Sequence, residues 1–160
     1  MHPNRLLLPA VLALALSASP AFADATAFIG STTTPANRPA RGFAIGFGVL
    51  IVAFEFEYAD TREDTVDLAP RLRTGMGNIL LQTPFPIAGM QFYATTGGGA
   101  YRETLGTRQE TQAGINTGGG VKVSLVGPIR ARIDYRVFKL RGDPLHSTVH
   151  RVYAGVNLAF

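Results

Sequence analysis

The sequence RVYAGVNLAF, residues 151–160, alternates between two kinds of side chain up to its last residue. In an extended strand, successive side chains point to opposite faces. One face of this segment holds Val152, Ala154, Val156, Leu158 and Phe160, and the other holds Arg151, Tyr153, Gly155, Asn157 and Ala159. The final residues of a soluble domain usually fray in polar solvent, whereas this apolar row continues to a large aromatic residue. The pattern predicts a strand that faces something other than water.

The amino-terminal segment has the three parts of a secretory signal peptide. Arg5 gives a basic beginning, residues 6–16 are an almost uninterrupted apolar run, and Ala21-Phe22-Ala23 offers small residues to a signal peptidase. The apolar run has about eleven residues, whereas a membrane-spanning helix needs about 20. We predict a cleaved signal peptide at residues 1–23 and one domain at residues 24–160.

The composition excludes several classes of protein. The chain has no cysteine, which excludes a disulfide framework and a cysteine-ligated metal. It carries 15 Lys and Arg against 11 Asp and Glu, but the basic residues are dispersed rather than clustered, so we expect no nucleic-acid partner. Beyond the signal peptide, no apolar run reaches the length of a spanning helix, which excludes an α-helical membrane protein.

The remaining chain consists of short segments that alternate with a period of two and are separated by turn residues. We predict eight strands, at residues 26–33, 41–48, 51–59, 71–81, 89–102, 111–124, 129–140 and 149–160. Three connections, at residues 48–50, 83–87 and 125–128, are short and nearly uncharged, and the others are longer and polar. Short turns at one end and polar loops at the other are typical of an antiparallel up-and-down meander.

Each clear strand has one apolar face and one charged face. The third strand places Phe54 and Phe56 opposite Glu55, and the seventh places Ile133 opposite Asp134. Alternation alone does not say which face is inside a barrel. Glycines, however, collect on the charged face, where a narrow interior needs small residues. They are Gly42, Gly46, Gly75, Gly77, Gly97, Gly99, Gly114, Gly118 and Gly120. We therefore predict that the apolar face points outward, towards lipid.

Residues 24–160 resemble the small eight-stranded outer-membrane β-barrels of the OmpA/OmpX type. The resemblance is carried by a polar residue, a glycine two positions later, and alternating hydrophobic residues that end in an aromatic one: Tyr153, Gly155, Leu158 and Phe160. In that group this pattern is an assembly signal read by the barrel-assembly machinery, so the resemblance implies that partner. One departure is the absence of tryptophan, so any interfacial aromatic girdle must consist of Phe and Tyr.

The predicted fold class is therefore all-β: an eight-stranded antiparallel up-and-down transmembrane β-barrel, preceded by a cleavable signal peptide. We expect a monomer in the outer membrane of a Gram-negative-type bacterium, in contact with outer-membrane lipid and lipopolysaccharide.

The predicted inner face is rich in charge. It contains Glu55, Glu57, Arg71, Arg73, Lys122, Arg130, Arg132, Asp134, Arg136 and Arg151. An eight-stranded barrel has room for little more than its own side chains, and arginine can bond carboxylates in two places at once. We predict a packed ionic network rather than an open porin. The excess of positive charge leaves a narrow anion-selective pore as an alternative.

Three residues near the last strand are the candidates for catalysis or metal binding. Lipid A deacylase barrels, as a family, use a His and a Ser two residues apart together with a Glu. This chain has His146, Ser147 and His150 but lacks that order and a later glutamate, and a serine nucleophile needs a base and an orienting acid. The two histidines would lie about 13 Å apart along a strand, too far to share a metal ion.

We therefore predict no enzyme activity, no cofactor and no metal, and a structural or surface-interaction role. An outer-membrane lipid-modifying enzyme and a secreted, soluble, lipocalin-like binder are the alternatives from other classes.

Overall fold

The computed structural model describes residues 21–160, which form a closed barrel of eight antiparallel strands. The strands are β1 (Ala21–Thr32), β2 (Arg38–Val49), β3 (Val52–Thr61), β4 (Arg71–Gln82), β5 (Met90–Leu105), β6 (Arg108–Val126), β7 (Ile129–Leu140) and β8 (Thr148–Ala159). Each strand pairs with its neighbours in the chain, and β8 pairs with β1. Within residues 21–160, no helix is long and apolar enough to cross a membrane. The predicted all-β, up-and-down architecture is confirmed.

Most strand ends lie within three residues of the predicted ones, and two differences change the description of the chain. Strand β1 begins at Ala21 rather than Thr26, so the predicted cleavage site falls inside it and stays a prediction. The predicted signal peptide up to residue 20 lies outside the described residues. The polar loop expected between β5 and β6 is a tight turn, because the ladder continues to the pair Leu105 and Arg108 and Gly106 turns the chain with a φ of 57°.

The outer wall carries a band of exposed apolar side chains. Phe54 is 46% exposed and Phe56 is 52% exposed, whereas Glu55 between them is buried in the lumen. The same alternation continues in the neighbouring strands, with Phe47, Ile79, Phe92, Ile133 and Val156 on the outer wall. An apolar exterior around a polar interior is the division expected of a barrel wall that faces lipid.

Strand β4 has the opposite orientation from the predicted one. Leu72, Met76 and Leu80 face the lumen and are buried, so Arg71 and Arg73 lie on the outer wall. Leu80 packs against Ala53 and Tyr93, whereas Leu72 and Met76 pack into an apolar cluster near the end of the barrel that carries the longer loops. Its members are Leu72, Met76, Tyr101, Phe138, Leu140 and Val149. The prediction of Arg71 and Arg73 as lumen residues is therefore wrong, because the inward residues of β4 at this end of the interior are uncharged.

The glycines of the inner and outer faces differ in the space around them. A Cβ atom at the lumen residue Gly118 would collide with the carbonyl oxygen of Tyr135 and lie 3.0 Å from the Cα of Arg136. Gly75 and Gly77 lie on the outer wall, so their predicted place on the charged face is wrong. At Gly77 the nearest atom to a Cβ would be the carbonyl oxygen of Gly98, 3.8 Å away. Lumen glycines thus allow neighbouring strands and side chains to approach closely.

We expect Gly118→Ala to lower the free energy of unfolding by about 1–3 kcal/mol, because overpacking shifts backbone and side chains. The matched control Gly77→Ala should stay within about 0.5 kcal/mol of the unsubstituted chain. Urea titration in phosphatidylcholine vesicles, with the folded fraction read from the mobility of unheated samples on gels, measures both. Equal midpoints for the two variants would contradict the assignment of the faces.

Candidate functional site: the charged lumen

The centre of the lumen is occupied by Arg132 and Arg136 of strand β7. Arg132 donates to both carboxylate oxygens of Glu55, from Nη1 to Oε2 at 2.5 Å and from Nη2 to Oε1 at 3.2 Å. Arg136 donates from Nη2 to the same Oε1 at 2.8 Å, and from Nε to Oδ1 of Asp134 at 3.0 Å. The planar guanidinium group permits this multiple bonding. Glu55 of β3 therefore joins two arginines that project from the opposite wall.

A further carboxylate extends the network towards strand β8. Oε2 of Glu57 lies 3.0 Å from Nη1 of Arg136, and its Oε1 accepts a hydrogen bond from Arg151. The hydroxyl of Tyr153 donates to Oδ2 of Asp134 at 3.0 Å. With Arg132 and Glu55, the network contains three guanidinium groups and three carboxylates, so its formal charges cancel.

Aromatic side chains surround these charges. The hydroxyl of Tyr93 donates to Oδ2 of Asp134 at 2.5 Å and accepts from Nε of Arg132 at 2.7 Å. The Arg132 guanidinium also lies 4.8 Å from the centre of the Tyr93 ring, and that of Arg151 lies 4.5 Å from the Phe138 ring. Aromatic faces attract cations, so these rings support the arginines without taking up hydrogen-bond donors. Sequence reasoning missed Phe138, although its parity with Arg136 places it on the inner face.

A second, smaller group of charges lies at the short-turn end of the lumen. Asp24 forms ion pairs with Lys122 and with Nη2 of Arg130, the latter at 3.3 Å. Arg130 also donates to Asn157 Oδ1 at 2.7 Å and to Gln91 Oε1 at 3.2 Å. A cavity of about 150 Å³ is bordered by Asp24, Lys122, Arg130 and Gln91. Sequence reasoning missed Asp24 because it began strand β1 at a later residue.

The structure places eight of the ten predicted charged residues in the lumen: Glu55, Glu57, Lys122, Arg130, Arg132, Asp134, Arg136 and Arg151. The other two, Arg71 and Arg73, lie on the outer wall beside Asp60. Arg71 binds this carboxylate with two hydrogen bonds, from Nε at 2.8 Å and from Nη2 at 2.6 Å.

The four residues of the predicted assembly signal lie on both faces of β8 and beyond its end. Tyr153 is part of the lumen network, and the backbone of Gly155 lies against Phe28, whose ring stacks on Tyr153 with centroids 4.0 Å apart. Leu158 and Phe160 are exposed on the outer wall. The role of these residues in assembly stays a prediction.

The residues considered for catalysis do not form a catalytic set among residues 21–160. His150 lies on the outer wall, with its Nδ1 atom 2.6 Å from the hydroxyl of Tyr135. His146 and Ser147 belong to the loop between β7 and β8. In this described part of the chain, neither histidine shares a hydrogen bond with Ser147 or with a carboxylate.

The barrel is similar to several solved structures of small outer-membrane proteins. Neisserial surface protein A superposes with a TM-score of 0.70 at 14% identity, covering 88% of this chain and 97% of that one. The amino-terminal barrel domain of Pseudomonas aeruginosa OprF gives a TM-score of 0.66 at 16% identity, covering 89% and 99%. The chain has the fold of a small transmembrane β-barrel. The predicted membrane-spanning fold class is thus confirmed.

The same fold also occurs in an enzyme. The outer-membrane enzyme PagL superposes with a TM-score of 0.53 at 10% identity, covering 84% of this chain and 98% of that one. No protein-family model and no curated protein sequence matches the chain. Because the identities are low, these likenesses establish the fold and leave function to the residues of this chain.

The lumen network predicts that removing one of its charges will be costly. Glu55→Gln would leave Arg132 and Arg136 buried without their shared carboxylate, and breaking such a buried pair typically costs about 3–5 kcal/mol. The matched control is Asp143→Asn, which removes an exposed partner of Arg108 and should cost less than about 1 kcal/mol. Urea titration in vesicles measures both. A Glu55→Gln midpoint no lower than that of Asp143→Asn would contradict the proposed coupling.

Proposed function

We propose that the chain is an integral outer-membrane β-barrel whose lumen is closed by its ionic network, with a structural or surface-interaction role rather than that of an open porin. The observation that carries the proposal is the burial of the central charges: the side chains of Arg132, Arg136 and Glu57 are 0% exposed. A permeating ion would have to displace guanidinium groups that carboxylates on other strands hold in place. In so narrow a barrel, no second path remains around them.

Placement in the outer membrane of a Gram-negative-type bacterium is supported by the exposed apolar band and by the likeness to NspA and OprF. Closure pairs the backbone of every strand on both sides, which suits both the bilayer and a monomeric state. The proposal includes export with a cleaved signal peptide, insertion by the barrel-assembly machinery, and contact with outer-membrane lipid and lipopolysaccharide.

A closed lumen predicts the absence of steady current. We expect the refolded full chain to be silent in planar bilayers. The double variant Glu55→Ala/Arg132→Ala removes a matched pair of charges from the centre of the lumen, so it should admit water and carry measurable current. The control Arg108→Ala/Asp143→Ala removes an exposed pair and should remain silent. Current through the unsubstituted chain equal to that of the lumen variant would favour the anion-selective pore.

Lipid modification is the second candidate, because PagL shares the fold. The contacts of His150 with Tyr135, rather than with a serine or an acid, favour a non-catalytic role. We therefore expect lipid A from cells that express the chain to keep the mass it has in cells with an empty vector. Loss or gain of an acyl chain, measured by mass spectrometry, would establish an enzyme instead.

A further inference from the structure

A row of charged side chains crosses the outer wall near the longer loops. The strand register aligns Arg41 of β2 with Asp60 of β3, Asp60 with Arg73 of β4, and Arg73 with Arg102 of β5. Directly opposite residues on one face of a sheet have Cβ atoms about 4.5–5.5 Å apart. Arg73 and Arg102 are therefore adjacent like charges on the outside of the barrel, a pairing that destabilises a sheet unless an anion offsets it.

Asp60, the acid in the row, is shared between two arginines. Asp60 is held by Arg71 through two hydrogen bonds, at 2.6 and 2.8 Å, and its Oδ1 atom lies 3.6 Å from Nε of Arg73. That Nε atom is buried and has no hydrogen-bond partner among the described residues. Arg102 donates from Nε to Oγ1 of Thr111 at 3.2 Å, a neutral acceptor. Within the described part of the chain, Arg73 shares its carboxylate with Arg71, and Arg102 has no carboxylate partner, so positive charge is in excess around the pair.

Two carboxylates of the acidic loop between β3 and β4 accept hydrogen bonds from backbone amides. Glu63 accepts a hydrogen bond from the backbone amide of Gly106 at 3.1 Å. Asp64 accepts one from the backbone amide of Val66 at 3.0 Å, within its own turn. Within residues 21–160 neither carboxylate forms an ion pair with Arg73 or Arg102, so these two arginines can accept an anion from outside the chain.

The height of the pair on the wall indicates where that anion lies. From Arg73 to Leu81 the strand rises about 27 Å, at about 3.4 Å per residue, or about 20 Å along the axis of a barrel with strands tilted by about 40°. The apolar band of such barrels is about 25 Å tall. Leu81 belongs to the apolar wall near the short turns, so Arg73 lies at the opposite border of the band. The aromatic Tyr58 directly precedes this border on β3.

The wall between the two arginines is a shallow cleft rather than a ridge. Its volume is about 340 Å³, and it is lined by Tyr58, Arg73, Thr74, Gly75, Ala100, Tyr101, Arg102 and Thr111. Gly75 and Ala100 face each other one row below the arginines. Gly75 has no side chain and Ala100 has only a methyl group, so this part of the wall leaves room for a bulky group that approaches from the membrane side.

We propose that Arg73 and Arg102 bind a phosphate of a lipid headgroup in the outer leaflet, with the adjoining part of the lipid in the cleft over Gly75 and Ala100. The inference rests on the proposed outer-membrane location. Arginine suits the task, because its planar group bonds phosphate oxygens in pairs and stays charged. A lipid is favoured over free phosphate because the pair lies on the lipid-facing wall, at the border of the apolar band.

The test is a titration of the folded full chain, in detergent, with diphosphoryl lipid A, read by native mass spectrometry. We expect Arg73→Gln/Arg102→Gln to weaken binding about tenfold or more, as loss of charge-assisted hydrogen bonds implies. Arg73→Lys/Arg102→Lys, which keeps the charge, should recover part of the affinity. The matched control is Lys139→Gln, which removes an outward charge on β7, and it should bind like the unsubstituted chain.

Three results would overturn the proposal: equal binding by the glutamine variant, equal binding of lipid A that lacks its phosphates, or displacement of lipid A by inorganic phosphate at equal phosphate concentration. The last would indicate a site for free anions. Unheated gel mobility shows whether each variant is folded, and removal of two like charges should not impair folding. Failure of the unsubstituted chain to fold into detergent or vesicles would instead count against the proposed function, so the two failures are distinguishable.

Discussion

The pairing of strand β1 with strand β8 is the contact on which the rest of this structure depends. Their register runs from Asp24 and Ala159 to Thr32 and Arg151, and it converts a meander into a closed ladder. In hydrocarbon, an unpaired backbone group costs several kcal/mol, because no water is present to bind it. Closure with eight strands also fixes a narrow interior. Every residue on the inner face must therefore share that limited space with residues from the opposite wall.

This limited space explains both the glycines and the ion pairs of the lumen. Gly118 has no side chain, which leaves room for the side chain of Arg136 on the neighbouring strand. A position with a large side chain therefore lies beside a glycine. Charges buried there must compensate each other, because each loses its hydration. The balance of three arginines and three carboxylates meets that requirement. A network joined across opposite walls also fixes which strands face each other, a gain in specificity that net stability alone does not measure.

The sequence was sufficient to predict the fold and most of the lumen residues. The prediction of strand orientation failed where the outer wall is no longer purely apolar. Strands β3 and β7 alternate cleanly because their middle sections cross the apolar band, so Glu55 and Asp134 could be placed from parity. Strand β4 begins above that band, where the outer wall tolerates charge and the inward residues of the strand include Leu72 and Met76. Polarity there no longer indicates orientation. Only the pairing with its neighbours, which composition does not reveal, places Arg73 outside.

The two environments of arginine follow from one rule about counterions. Inside the barrel an arginine needs a carboxylate of the same chain, because neither water nor lipid reaches it, and Arg132 and Arg136 have such partners. On the outer wall, anionic lipid headgroups lie at the border of the apolar band, so they can neutralise an excess of arginine there. An excess of arginine such as Arg73 and Arg102 is therefore compatible with a stable barrel at that border or beyond it, where water or a lipid phosphate can solvate the charge, but not within the apolar band.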